Sequence, residues 1–142
     1  MAPHGGRSRV YRAAMADASH LTGPMQGTDR TSFAGIETDA MAVGDARVKR
    51  VVYPAGLRWS VDIRPHVGGD RCQHAHVGFL VQGRFAGAYA DGCAFDFVAP
   101  QVVAVDPGHD AWVPGDEDAV LLEVDFERHT TARLGIPAEH RH

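Results

Sequence analysis

His74-Ala75-His76-Val77-Gly78-Phe79-Leu80-Val81-Gln82-Gly83-Arg84-Phe85-Ala86-Gly87-Ala88-Tyr89-Ala90-Asp91-Gly92-Cys93-Ala94-Phe95-Asp96-Phe97-Val98 is the stretch that decides the fold. It divides into three runs of strand length: His74 to Gln82, ended by Gly83; Arg84 to Ala90; and Cys93 to Val98. Asp91-Gly92, between the second and third, is a strong hairpin signal because both residues tolerate positive φ. The runs carry no helical period, so the segment reads as three strands, the third pairing back across the hairpin.

The same texture extends outward. On the N-terminal side, Arg47 to Tyr53 reads as a strand ended by Pro54-Ala55-Gly56. Leu57 to Ile63 alternates and reads as a second strand, closed by Arg64-Pro65, and Gly68-Gly69-Asp70 as a turn. On the C-terminal side come Val102 to Val105, the Pro107-Gly108 turn, Ala111 to Val113, the Pro114-Gly115-Asp116 turn and Ala119 to Phe126. Many short strands at even spacing, with no helical segment between them, predict an all-β antiparallel barrel or sandwich. The expected organisation is a flexible N-terminal arm over 1–32, the barrel over 33–128 and a polar C-terminal tail over 129–142, with one helical turn in the tail.

The whole-chain numbers bound the function. A chain of 142 residues supports one core, and 44% hydrophobic with 23% charged residues is ordinary for a soluble domain. A net charge of -4 without a basic stripe argues against nucleic acid as a partner. No run of about 20 apolar residues is present to span a membrane, and Met1 to Ser32 holds no apolar signal core, so a cytoplasmic protein is expected. In that compartment Cys72 and Cys93 are expected as free thiols.

The chemistry concentrates in Cys72-Gln73-His74-Ala75-His76 and in Asp106-Pro107-Gly108-His109-Asp110-Ala111-Trp112. Side chains alternate along a strand, so Cys72, His74 and His76 share one face, and His109 shares a face with Ala111. Thiolate and imidazole donors converging from two strands suit a divalent transition metal (Zn, Fe, Cu, Ni or Mn), whereas Mg(II) and Ca(II) take more oxygen. The candidate ligands are Cys72, His76 and His109, with His74 as fourth ligand or as a partner behind them. The competing reading is a pair of buried, hydrogen-bonded histidines beside a small buried thiol. Asp110 has the opposite parity and reads as a turn cap. Leu80 shares parity with His76 and is expected in the cavity. Trp59 and Trp112 pack in the core or at a dimer seam, or stack on a ligand. Val77, Phe79 and Val81 form a second apolar face whose cover is the N-terminal strand or a second subunit, so a homodimer is expected.

From about Val43 to Phe126 the chain resembles the small single-domain cupins. The resemblance is carried by Tyr53-Pro54-Ala55-Gly56-Leu57-Arg58-Trp59-Ser60, by Cys72 to His76, by Val81-Gln82-Gly83-Arg84, by Asp91-Gly92 and by Pro107-Gly108-His109-Asp110-Ala111-Trp112-Val113-Pro114-Gly115-Asp116-Glu117. It implies a cupin-type antiparallel β-barrel (a jelly roll, or double-stranded β-helix) with a metal in the barrel mouth. The chain departs from the family's three-His-plus-Glu ligand pattern. Anchored on Gly83, that pattern puts His76 at its Glu, with Cys72 and Asp70 at two of its His. Anchored on Gly108, it puts Ala111 at the remaining His, with His109 two residues earlier. Two functions follow from the resemblance: a metal-dependent oxygenase, isomerase or lyase acting on a small-molecule ligand, or a non-catalytic ligand- or metal-sensing module. No Gly-x-Ser-x-Gly or phosphate-loop motif offers another chemistry.

Overall fold

The computed structural model describes residues 21–141. Nine strands form among them: β1 (Asp29–Phe33), β2 (Ile36–Val43), β3 (Ala46–Tyr53), β4 (His76–Gln82), β5 (Arg84–Tyr89), β6 (Ala94–Val98), β7 (Gln101–Val105), β8 (His109–Trp112) and β9 (Ala119–Phe126). They make a six-stranded sheet in the order β1-β2-β3-β9-β4-β7 and a three-stranded sheet in the order β6-β5-β8. Every strand pair is antiparallel. No helix among the described residues is long and apolar enough to cross a membrane.

The three strands form where the sequence predicts them, β5 and β6 pair across the hairpin, and Gly83 is the point where the chain changes sheets. Its φ is +78°, and a Cβ there would stand 2.4 Å from the Asp118 carbonyl oxygen. Only glycine meets both conditions without strain. The chain therefore leaves β4 in the large sheet and enters β5 in the small one, and the two sheets close on a shared core. Leu80, Phe85, Val103, Val105, Ala119 and Leu121 fill that core, each with at most 2% of its surface exposed.

Two expectations change. Leu57 to Ile63 is not a strand. Only Arg58 pairs, in a bridge to Trp112, after which Trp59–Ile63 forms a π-helical turn and α1 (Arg64–Val67) follows. Side-chain oxygens capture the backbone here: Ser60 N–H donates to Asp110 Oδ1 at 3.1 Å, and Arg58 N–H donates to Asp62 Oδ2 at 2.7 Å. Such side-chain bonds to the backbone compete with a ladder and turn the chain. Trp59 and Ile63, four residues apart, are buried while Val61 is exposed, which is helical spacing.

The N-terminal boundary also moves. Residues 1–20 of the expected arm lie outside the described residues, but Asp29 to Ser32 belong to β1 and pair with β2. Before β1 the chain is tied to the outer face of the large sheet. Arg50 Nη1 donates to the Thr22 carbonyl at 2.9 Å, and Met25 N–H donates to Asp39 Oδ2 at 3.0 Å. Asp39 (1% exposed) also receives Arg30 Nε at 2.7 Å and Arg50 Nε at 2.9 Å. The Arg30 hydrogen bond, with Met25 and Arg50 behind it, outweighs burial and holds the Asp39 carboxyl well below its usual range. The tail forms α2 (Thr130–Leu134), whose Thr130 hydroxyl donates to the Phe126 carbonyl at 2.9 Å.

Candidate metal centre

Cys72, His76 and His109 converge, with one donor atom of each within 4.8 Å of the others. Their positions come from backbone pairing. Cys72 forms an isolated bridge to His109, with Cys72 N–H donating to the His109 carbonyl at 2.8 Å. His109 begins β8 and His76 begins β4, so the first residue of a strand in each sheet meets the loop before β4. The His76 and His109 ring centroids lie 5.2 Å apart.

Each imidazole is held by its Nδ1. His109 Nδ1 lies 2.7 Å from the Asp106 carbonyl oxygen, and since a carbonyl only accepts, Nδ1 carries the hydrogen. His109 Nε2 is buried and has no hydrogen-bond partner. Buried polar atoms are nearly always satisfied, so a lone-pair nitrogen aimed at a thiol and a second imidazole fits a metal well. His76 Nδ1 lies 2.5 Å from Glu123 Oε1, which leaves Nε2 for the same centre. A carboxylate behind a ligating imidazole fixes its orientation and raises its basicity.

The electrostatics suit a thiolate. Burial pushes the Cys72 thiol up, but the His109 and His76 imidazoles beside it overcome burial and bring the thiol down to about 5. Burial opposes charge on His76 too, yet the Glu123 charge and the contact with Cys72 raise it to about 10. Both shifts run toward a thiolate beside an imidazolium, with the Glu123 carboxylate behind it. Metal binding at such a site displaces the proton. Sulfur and two imidazole nitrogens match Zn(II), Cu, Ni or Fe(II).

His74 is near but apart. Its ring lies 4.8 Å from that of His76, and its Nε2 is 2.9 Å from Asp125 Oδ2, so it is bound up behind the trio rather than joined to it. Glu123 and Asp125 were not among the expected site residues. Both lie on β9, alternating with Ala119 and Leu121 on the core-facing parity, and acids at core parity were the signal available. Lys49 Nζ joins them, 2.8 Å from Asp125 Oδ2 and 3.7 Å from Glu123 Oε2. Arg47 completes the ladder with two bonds to Asp125, each 2.8 Å.

The trio lies on the wall of a cavity of about 670 Å³ between the sheets, within the range of small-ligand sites. Trp59 lines it, with Tyr53, Phe85 and Ala111. Leu80 and Trp112 do not. Leu80 is fully buried one level deeper in the closed core, packed among β4, β7 and β9. Trp112 has the outward parity of Asp110, and the Arg58 guanidinium stacks on it 4.5 Å from the ring centroid. Asp110 does face away from the site and caps the Trp59–Ile63 turn. Both cysteines are free thiols. A second trio, Asp91, Cys93 and His140, gathers at the β5–β6 hairpin with donors within 4.8 Å.

No protein-family model and no curated protein matches the chain. Solved structures do. A Cupin 2 conserved barrel domain protein from Salinispora arenicola superposes with a TM-score of 0.51 at 18% identity, over 79% of this chain and 92% of that one. A cupin-like protein from Thermotoga maritima gives a TM-score of 0.51 at 14% identity, over 75% of this chain and 82% of that one. At these identities the likeness is one of architecture, and with the two antiparallel sheets described above it makes this chain an all-β protein of the cupin fold.

Proposed function

We propose that the protein is a metal- and ligand-binding barrel in which Cys72, His76 and His109 hold a divalent transition metal and the adjoining cavity takes a small organic molecule. The observation that carries this reading is the buried, unpartnered His109 Nε2, which faces a thiol and a second oriented imidazole on a cavity wall. A metal at this position polarises a ligand oxygen or activates water, the chemistry shared by oxygenases, isomerases and lyases. The chain's own part is to hold two imidazoles by Nδ1, supply the thiolate and surround the ligand with Trp59, Tyr53 and Phe85, which exclude water.

One observation favours a non-catalytic, sensing module instead. Glu123, Asp125 and Lys49 are all engaged with one another or with His74 and His76, so the nearest titratable groups are committed to structure. Elemental analysis of untagged protein, with His76→Ala and His109→Ala beside it, tests the metal that both readings share. Near-stoichiometric metal, lost in both variants, is the expected result. Wild-type protein that is metal-free and takes up none of the added ions overturns it.

The assembly proposed is a homodimer through the outer face of the large sheet. Phe79 (56% exposed), Val102 (67%), Val48 (46%) and Val124 (40%) leave that face apolar beyond the stretch tied down by Thr22 and Met25. Sedimentation equilibrium is expected to show a dimer for wild type and a monomer for Phe79→Asp; a monomeric wild type sinks the proposal.

A further inference from the structure

The charge balance of the cavity bears on what fills it. Among the described residues no aspartate or glutamate lines it, while Lys49 and Arg71 do. Lys49 is neutralised, held between Asp125 and Glu123. His74 is likewise held by Asp125. Arg71 is different: its guanidinium makes no ion pair or hydrogen bond with any described residue. Asp70, its neighbour in the chain, is exposed and faces Arg64 instead, 3.4 Å away. Arg71 directly precedes Cys72 on the loop that brings the thiol to the metal trio, and it is among the residues that line the cavity. Most of the remaining lining is apolar, including Phe33, Ile36, Val51 and Leu57.

From this arrangement we infer that the cavity's ligand is an organic monocarboxylate with an apolar or aromatic body, its carboxylate held by Arg71. The inference rests on the cavity being the ligand site. A planar guanidinium matches a carboxylate with two parallel hydrogen bonds. One uncompensated cation answers one negative charge; a phosphate monoester carries nearly two. An amine would meet like charge and no lining acid, and a polyol would leave its hydroxyls against apolar walls.

Calorimetric titration with 3-phenylpropanoate, 3-phenylpropanamide and 3-phenylpropylamine tests it, on metal-free and on Zn-loaded full-length protein. The carboxylate is expected to bind at least about tenfold tighter than the amide in both forms, the size of a charged hydrogen bond, with the amine weakest. Arg71→Met should erase that preference and Arg71→Lys restore part of it, with melting curves showing that both variants fold. Equal binding of acid and amide, no binding of any probe, or a preference that survives Arg71→Met overturns the inference. So does a preference seen only in the Zn-loaded form, because the metal then holds the carboxylate. Failure of Zn uptake with the Arg71-dependent preference intact counts against the metal centre alone.

Discussion

His76 and Glu123 meet at 2.5 Å, Nδ1 to Oε1, with both side chains buried and on adjacent strands of the large sheet. The carboxyl sits below its usual range although burial alone would raise it, because His76, Lys49 and His74 supply opposing charge. This contact aims His76 Nε2 at the centre and sets its basicity. Glu123→Gln keeps the size and loses the charge. It is expected to lower Zn affinity about 10–100-fold, read by competition with a chromophoric chelator. An unchanged affinity would separate Glu123 from the centre.

The two thiols should differ sharply. Cys72 lies between two imidazoles on the cavity wall, whereas Cys93 sits at the β5–β6 hairpin. Thiolate makes Cys72 the faster to alkylate, and bound metal should block it. With Co(II), wild type and Cys93→Ser are expected to show a sulfur-to-metal charge-transfer band that Cys72→Ser lacks. Persistence of the band in Cys72→Ser would exclude sulfur ligation by this residue.

Asp39 predicts the acid limb of stability. Its carboxyl is lower in the folded state than in the unfolded chain, where it titrates near about 4. Its contribution is therefore complete above that value and is lost as pH falls below it. Asp39→Asn leaves the buried Arg50 without its carboxylate and should cost roughly 3 kcal/mol near neutrality. In urea unfolding, the gap between variant and wild type should narrow progressively below about pH 4. A gap that stays constant to low pH contradicts the assignment.

Gly78 tests the seam between β4 and β9. A Cβ there would lie 1.9 Å from the Leu122 carbonyl oxygen, backbone against backbone. Gly78→Ala must part the two strands at Glu123, its partner across the seam, and should cost at least about 2 kcal/mol in urea unfolding. Gly92→Ala, where positive φ is the only obstacle, should cost about 1 kcal/mol or less. If both variants cost the same, the close approach does not govern stability.

The strands on either side of Gly83, the hairpin at Asp91-Gly92 and the last strand were legible because alternation and turn residues agree there. The β1–β2 hairpin was not. Its strands are polar or small at many positions, and in its two-residue turn only Gly35 is a turn residue, while Ala34 takes φ 50° without being one. Leu57 to Ile63 misled for a different reason: Asp110, more than forty residues away, captures the Ser60 amide, and no local pattern carries that bond. At the centre, parity brought His76 and His109 to the same interior. The same rule applied to β8 sends Trp112 outward with Asp110. Glu123 stood at core parity, yet its partner is set by the β4–β9 register, which the chain does not spell out locally.

The two imidazoles are secured in unlike ways. His76 depends on a side chain that a single base change in the Glu123 codon can remove. His109 depends on the main-chain oxygen of Asp106, which every amino acid possesses. Its tautomer is thus written into the path of the loop before β8 and survives any replacement that preserves that path. Variation during evolution is therefore expected to retune the His76 side from β9, leaving the orientation of the β8 imidazole as the constant of the pair.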